Sequence, residues 1–239
     1  MAINRYWMVL AATVLLAQSA MAHMGLLFPM GRGSIGDKKH FDNEAHAFIG
    51  YNKKRTLPCN GYNQVGPITK FKAGEVVYAR FWGPALKDDY DDHLPNKPGK
   101  NEHQINQARH GGGFCQFSLS YDGGKTFHLI GEYKESCPDF YYSWPIRIPK
   151  NAPSCKERGK CLLVWSWTAV NVPQFYINCA DVVIDGDDKG KLKTGKGIEI
   201  VDAPGHPQNI VKNGDKAGDK MGLGPKKEDV DRNLDVEWM

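Results

Sequence analysis

Apolar residues along the middle of the chain fall into short runs with β-strand spacing, separated by turn signals. The runs that predict strands are 76–82, 114–121, 127–130, 146–149, 161–168 and 175–184. The second and third flank Asp122-Gly123-Gly124, which is typical of a hairpin turn. Residues 23–75 carry turn signals without a clear strand pattern, and no helical period of convincing length is present. This pattern predicts an all-β fold, an antiparallel β-sandwich with long loops.

The first 22 residues carry a different pattern. Arg5 precedes an apolar run over 7–17, and Ala20-Met21-Ala22 supplies the small residues that signal peptidase accepts. The run is too short to span a bilayer, and no other stretch could span one. We therefore predict a signal peptide over 1–22, a secreted, extracellular protein with no membrane partner, and His23 as the first residue of the mature chain.

The apolar runs stop after residue 186. Residues 187–239 are rich in Lys, Asp and Gly, which is typical of a linker or disordered tail. This leaves 23–186 as a single domain. The formal charge is +4, and the excess lies on 23–186, which contain 20 Lys and Arg against 16 Asp and Glu. Such mild basicity argues against a nucleic-acid partner.

All six cysteines lie in the predicted mature chain: Cys59, Cys115, Cys137, Cys155, Cys161 and Cys179. In an oxidising compartment this even number predicts three disulfides. No CxxC pair is present, which argues against a zinc ribbon or a thioredoxin-type site. Fifteen connectivities are possible, and the sequence alone does not choose among them.

Two stretches carry residues suited to chemistry. His110 is followed by three glycines, which leave its imidazole little steric cover. Gln174 and Tyr176 alternate on a predicted strand, so they share one face while Phe175 points to the other. Taken alone, each has a plain alternative, a surface histidine in a flexible loop and a tyrosine in the sandwich core. His23, once freed by cleavage, could chelate a metal through its α-amine and Nδ1.

Together these features resemble the lytic polysaccharide monooxygenases, most of all the fungal chitin-oxidising type, auxiliary activity family eleven. The resemblance covers about residues 23–186. The matching segments are His23-Met24, Leu57-Pro58-Cys59-Asn60-Gly61-Tyr62, His110-Gly111-Gly112-Gly113-x-Cys115-Gln116-x-Ser118-Leu119-Ser120-Tyr121-Asp122, Cys137-Pro138, Trp165-x-Trp167 and Tyr176-x-Asn178-Cys179-Ala180.

The resemblance implies an immunoglobulin/fibronectin-like sandwich and one type-2 copper ion in a histidine brace. His23 would give its amine and a ring nitrogen, His110 a ring nitrogen, and Tyr176 the axial position. Nitrogen ligands of this kind suit copper. Gln174 would be a hydrogen-bond donor beside the metal. The family's pairing would be Cys59–Cys179 and Cys115–Cys137, which leaves Cys155 and Cys161 to pair.

The implied reaction is oxidation of a polysaccharide at C1 or C4 of the glycosidic bond, with an external electron donor and O2 or H2O2. The protein is expected to be a monomer, and chitin is the expected substrate. Cellulose or pectin, a non-catalytic copper-binding protein and a metal-free binding module are the alternatives. The axial Tyr176 favours the enzyme, since copper-acquiring relatives often replace that tyrosine by an acid.

Some residues depart from the family pattern or lie in loops. Arg109 stands where the chitin-oxidising type commonly has alanine, and Gln174 where it often has an acid. The polar loop over 84–107 precedes His110, and its acidic run 88–92 is clustered rather than arranged as a hydrolase pair. Arg109 and Tyr90 are candidate substrate contacts.

Overall fold

The computed structural model describes residues 23–50, 55–84, 107, 109–192, 197–209 and 224–235. Within these ranges it contains eight strands and one helix. They are β1 (Gly25–Phe28), β2 (Ile68–Lys72), β3 (Val76–Trp82), β4 (Gly113–Ser120), β5 (His128–Tyr133), β6 (Trp144–Arg147), β7 (Leu162–Ala169), β8 (Phe175–Asp185) and α1 (Lys227–Leu234). That helix is too short to cross a membrane, and no described helix is long and apolar enough to do so.

The strands form two sheets, one of three strands in the order β1-β3-β6 and one of five in the order β2-β8-β7-β4-β5. Every pair is antiparallel except β2 with β8, which runs parallel. The register places Gly113 opposite Ala169 and Phe175 opposite Thr168. The start of β4, the end of β7 and the start of β8 therefore lie together at one end of the sandwich.

The five-stranded sheet is buried on both faces. Its inner face packs on the small sheet through large side chains such as Phe117, Trp165 and Trp167, which are fully buried. Its outer face carries a second apolar cluster, made of Ile49, Cys59, Leu162, Val164, Phe175, Ile177, Cys179, Val201 and Ala203. Burial on both faces explains why the strands over 161–184 are so apolar.

The structure confirms the predicted β-sandwich and the strands and hairpin expected from residue 76 onward. The prediction of an irregular 23–75 was wrong at two places, because β1 and β2 lie there. The four residues of β1 have no alternating pattern, since its first three are all buried. The strand conformation of β2 comes from its parallel pairing with β8, a contact 113 residues away between Ile68 and Asp181 that no local pattern encodes.

Three disulfides hold the long connections to the sheets, in the pairing that the family resemblance implied: Cys59–Cys179, Cys115–Cys137 and Cys155–Cys161. The first joins the loop before β2 to the outer face of β8. A buried ion pair supports the same loop, because the Arg32 guanidinium binds both carboxylate oxygens of Asp181 at 2.7 Å. Gly66 N also donates to Asp181, at 2.8 Å.

Two parts of the chain after residue 186, predicted as a linker or disordered tail, pack on the sandwich. Val201 and Ala203 are buried in the outer cluster, and α1 lies against β5 and β6. The helix docks through polar side chains, since Asp229 and Asn233 are its buried residues. Composition was misleading here because a few well-placed apolar residues and a polar helix contact are enough to fix the segment.

Candidate metal centre

His110 lies in a tight turn that leads into β4. Arg109 O accepts a hydrogen bond from Gly112 N at 2.8 Å, and the two residues between them have positive φ, 52° at His110 and 71° at Gly111. Consecutive positive φ values at the central positions are the signature of a type I′ turn. A histidine in this conformation is strained, so the surrounding chain must hold it there.

The glycines after His110 serve close backbone packing. Gly113 N donates to Glu135 O at 2.7 Å, and a Cβ on Gly112 would stand 1.8 Å from that same oxygen. A Cβ on Gly113 would meet Thr168 O at 2.2 Å. The sequence suggested that these glycines only uncover the imidazole; in the fold they let the turn press against neighbouring backbone.

Tyr176 brings the histidine turn and β8 together. Its ring is 1% exposed and stacks on Trp167, with 4.2 Å between ring centroids. Its hydroxyl donates to Gln174 Oε1 at 2.5 Å and lies 3.2 Å from His110 Nε2. Gln174 and Tyr176 therefore share a face, as alternation predicted, and Phe175 points into the outer cluster.

His23 reaches the same place from the start of the small sheet. Its ring lies 5.9 Å from that of Tyr176, edge to face, and stacks nearly parallel on Phe48 at 5.6 Å. His46 stands edge-on at 5.4 Å. Tyr176 is thus flanked by both predicted imidazoles, since the His110 ring lies 6.5 Å from it.

Burial sets the charge state of this cluster. It lowers the pKa of His23 to about 4, and the nearby His46 and His110 rings act in the same direction. Burial also lowers the pKa of His46 to about 4. The imidazoles of His23 and His46 are therefore neutral near pH 6, and neutral imidazole is the form that binds metal ions.

The arrangement offers two imidazoles and one phenol to a ligand. Across the described part of the chain, no three His, Cys, Asp or Glu side chains converge closely enough to hold a metal by themselves. A metal bound between His23 and His110 would need another donor. The donor types present, imidazole nitrogen above all, match the preference of copper. They differ from the oxygen ligands that calcium and magnesium prefer.

The predicted substrate contacts have different outcomes. The prediction that Arg109 contacts substrate was wrong, because Arg109 is fully buried. Its guanidinium donates to Pro138 O at 2.8 Å and to Ser136 O. The Arg109 side chain lies in the interior, whereas that of its neighbour His110 is half-buried. Tyr90 and the acidic run 88–92 lie outside the described residues.

Sequence reasoning missed two residues of the centre. Phe48 and His46 both pack on the His23 ring, and His46 also contacts Trp82 at 5.2 Å between centroids. They lie in a segment of turns, where neither spacing nor strand alternation points to them. Only the folding of residues 31–50 back over the start of β1 brings them to His23.

Comparison with known proteins decides the family. The chain is 42% identical over 184 residues to the "AA11 family lytic polysaccharide monooxygenase A" of Aspergillus fumigatus, a match covering 72% of this chain and 69% of that protein. The chain belongs to the AA11 family of lytic polysaccharide monooxygenases. It is therefore a copper-dependent oxidoreductase that cleaves polysaccharide oxidatively, using an electron donor and O2 or H2O2.

Other comparisons are weaker. No family model matches the chain. Two solved structures are similar to it. HiLPMO9B has 15% identity, a TM-score of 0.39, and coverage of 62% of this chain and 67% of its own. A cellulose-active polysaccharide monooxygenase from M. thermophila has 14% identity, a TM-score of 0.45, and coverage of 75% and 82%.

Proposed function

We propose that this AA11 protein is a secreted, monomeric enzyme that oxidises chitin, with copper held by His23 and His110. The observation that carries the proposal is the approach of both imidazoles to the Tyr176 phenol, with His110 Nε2 3.2 Å from its hydroxyl. The family supplies the reaction class, and this cluster supports the proposed location of the metal.

The residues present fit a copper ion. His110 would bind through Nε2, the nitrogen on the Tyr176 side, and His23 through its ring and its α-amine. The neutral state of His23 removes the need to displace a proton from that ring. When bound, copper would supply the one-electron chemistry that lets an external donor and O2 or H2O2 oxidise a carbon–hydrogen bond.

The neighbouring side chains have separate tasks. The Tyr176 hydroxyl donates to Gln174 Oε1 and the ring stacks on Trp167, so the phenol would be held beside the copper as a weak donor. This bond fixes the Gln174 carboxamide, whose NH2 group would donate to the oxygen reactant and orient it. This oxidation needs no pair of catalytic carboxylates, in contrast to hydrolysis of the same bond.

Two further parts of the proposal rest on the sequence. Cleavage after Ala22 would free the α-amine of His23, so secretion and metal binding depend on the same event. The domain would extend from residue 23 to at least 186, and the buried residues at 201, 203 and 233 argue for including the C-terminal segment.

Chitin is proposed over the alternatives because the matching motifs are those of the chitin-oxidising type. Cellulose remains a second candidate, since glutamine at 174 is more like the cellulose-active fungal families. Pectin loses its main support, because the buried Arg109 cannot meet an anionic glycan at the surface.

The test uses mature protein secreted by a eukaryotic host. N-terminal sequencing should begin at His23, and copper-loaded protein should give a type-2 electron paramagnetic resonance signal with nitrogen couplings. With reductant and H2O2 it should release oxidised oligosaccharides from chitin. His110→Ala should remove both the signal and the products.

Each failure has a distinct meaning. Absence of nitrogen couplings in the wild type would reject the proposed centre. Oxidised products from cellulose but not from chitin would reject the substrate while leaving the centre intact. A mature chain starting elsewhere than His23 that still binds copper with the same spectrum would reject the role of the α-amine.

A further inference from the structure

Arg109 is a buried cation that the proposed reaction does not use. It is fully buried, and its guanidinium donates to two backbone carbonyls of one segment, Pro138 O at 2.8 Å and Ser136 O. Burying a charged arginine in this way costs desolvation free energy. Because Arg109 precedes His110 in the chain, its hydrogen bonds can act on that histidine.

The segment that Arg109 binds is itself firmly held. Cys137 is bonded to Cys115 in β4, and Ser136 Oγ donates to Gly224 O at 2.6 Å. Glu135, the residue before it, accepts Gly113 N at 2.7 Å. The chain over 135–138 is therefore a fixed wall behind the histidine turn.

The turn needs such a wall because of its backbone. His110 has φ of 52° and Gly111 71°, and one hydrogen bond, Gly112 N to Arg109 O, closes the turn. One end of the turn is joined to the wall through Gly113. The other end, at residue 109, is joined to it through the arginine side chain.

We propose that Arg109 is a positioning residue for His110: its guanidinium, by binding Ser136 O and Pro138 O, keeps the turn in the conformation that presents Nε2 beside Tyr176. This inference rests on the proposed function, in which His110 binds copper. Arginine suits the task because its planar fork donates in fixed directions to two acceptors, whereas the ammonium of lysine is a single point of charge.

The experiment compares Arg109→Met and Arg109→Lys with Arg147→Met. Arg147 is the matched control, since its guanidinium also donates to carbonyls of two other segments, Leu234 O at 3.0 Å and Gly74 O at 2.7 Å, away from His110. Each mature protein is measured copper-free for its melting temperature, then for copper affinity by competition and for its paramagnetic resonance spectrum.

We expect Arg109→Met to weaken copper binding on the order of ten-fold or more and to change the copper hyperfine splitting. Arg109→Lys should give a smaller change in the same direction. Arg147→Met, at a half-buried side chain, should lower the melting temperature and leave affinity and spectrum at wild-type values. Should Arg109→Met not fold, the lysine variant alone decides.

Two outcomes separate this inference from the proposed function. If the wild type gives no nitrogen-coupled copper signal, the proposed function has failed. If the wild type gives that signal and the Arg109 variants keep its affinity and spectrum while losing only thermal stability, Arg109 is merely structural and the positioning role is overturned.

Discussion

At the scale of single residues, the centre depends on positions where no other side chain fits. The turn at His110 combines a strained histidine with glycines packed against the backbone of Glu135 and Thr168, and Tyr176 is almost fully buried. Steric exclusion at one position and one phenolic hydrogen bond at another are therefore the features to test.

Gly112→Ala should be strongly destabilising. The new Cβ would stand 1.8 Å from Glu135 O at a φ of +83°. Gly205→Ala is the matched control, because its φ is +82° and nothing lies within 4 Å of a Cβ there. We expect about 1 kcal/mol for the control from backbone strain alone and about 3 kcal/mol or more for Gly112→Ala, by urea unfolding of copper-free protein. Equal losses would show that the contact with Glu135 is not tight.

The Tyr176–Gln174 hydrogen bond should be measurable as a coupling. Tyr176→Phe keeps the stacking on Trp167 and removes only the hydroxyl that donates to Gln174 at 2.5 Å. A double-mutant cycle with Gln174→Leu in copper-free protein should give about 1 kcal/mol of interaction. The same cycle with Asp231→Asn on the distant helix should give none, and a zero value for both would argue against the bond.

At the scale of elements, α1 replaces the missing neighbour of an edge strand. The Asn233 side chain accepts from Glu132 N at 2.9 Å and donates to Glu132 O at 2.8 Å, and Asp229 accepts from Lys134 N at 3.2 Å. These polar side chains satisfy the outward N–H and C=O of Glu132 in β5 and the N–H of Lys134 just after it, on the edge strand of the five-stranded sheet.

Asn233→Leu should therefore cost more than its size suggests. The leucine would remove the acceptor of the buried Glu132 N–H and one of the donors to Glu132 O, to which Arg232 also donates at 3.0 Å, a loss of about 2 kcal/mol in the free energy of unfolding. Asp231→Asn, which removes only the exposed pair with Lys227, should change stability by less than about 0.5 kcal/mol. If chemical denaturation gives similar small values for both, the helix does not protect the edge.

At the scale of the whole molecule, the chain after 186 closes the sandwich. Residues 197–203 cover the outer face of the large sheet, where Leu162, Val164, Phe175 and Ile177 lie, and α1 covers its edge. The region with the least globular composition thus completes the burial of the core.

Truncation should show this in steps. Ending the chain at residue 209 removes α1 and should lower the melting temperature while keeping the outer cluster covered. Ending it at residue 186 exposes that cluster as well, and we expect several kcal/mol of further loss together with aggregation. Thermal unfolding and light scattering measure both. A chain ending at 186 that is as stable as the full one would restore the disordered-tail interpretation.

Alkaline pH should weaken the fold through its buried tyrosines. Burial raises the pKa of Tyr62 to about 12 and raises the pKa of Tyr121 and Tyr133 above the ordinary value. Tyrosines in the unfolded chain ionise near pH 10, so the unfolded state loses protons first and stability falls as pH rises above about 10. Tyr121→Phe should make this fall shallower, whereas Tyr78→Phe, at an exposed ring, should not. An unchanged slope in Tyr121→Phe would contradict the assignment.

The sequence alone was sufficient for the sandwich from residue 76 onward and for the shared face of Gln174 and Tyr176, because strand alternation is a local property. It also determined the family, since the ordered set of histidine, cysteine and tyrosine motifs survives in the linear chain. Tertiary structure alone decided the rest. Arg109 proved to be interior, His46 and Phe48 were brought to His23, β2 was made a strand by a distant parallel partner, and the Lys- and Asp-rich end was docked by buried polar side chains. Each of these depends on contacts between residues far apart in the chain, which composition and periodicity do not encode.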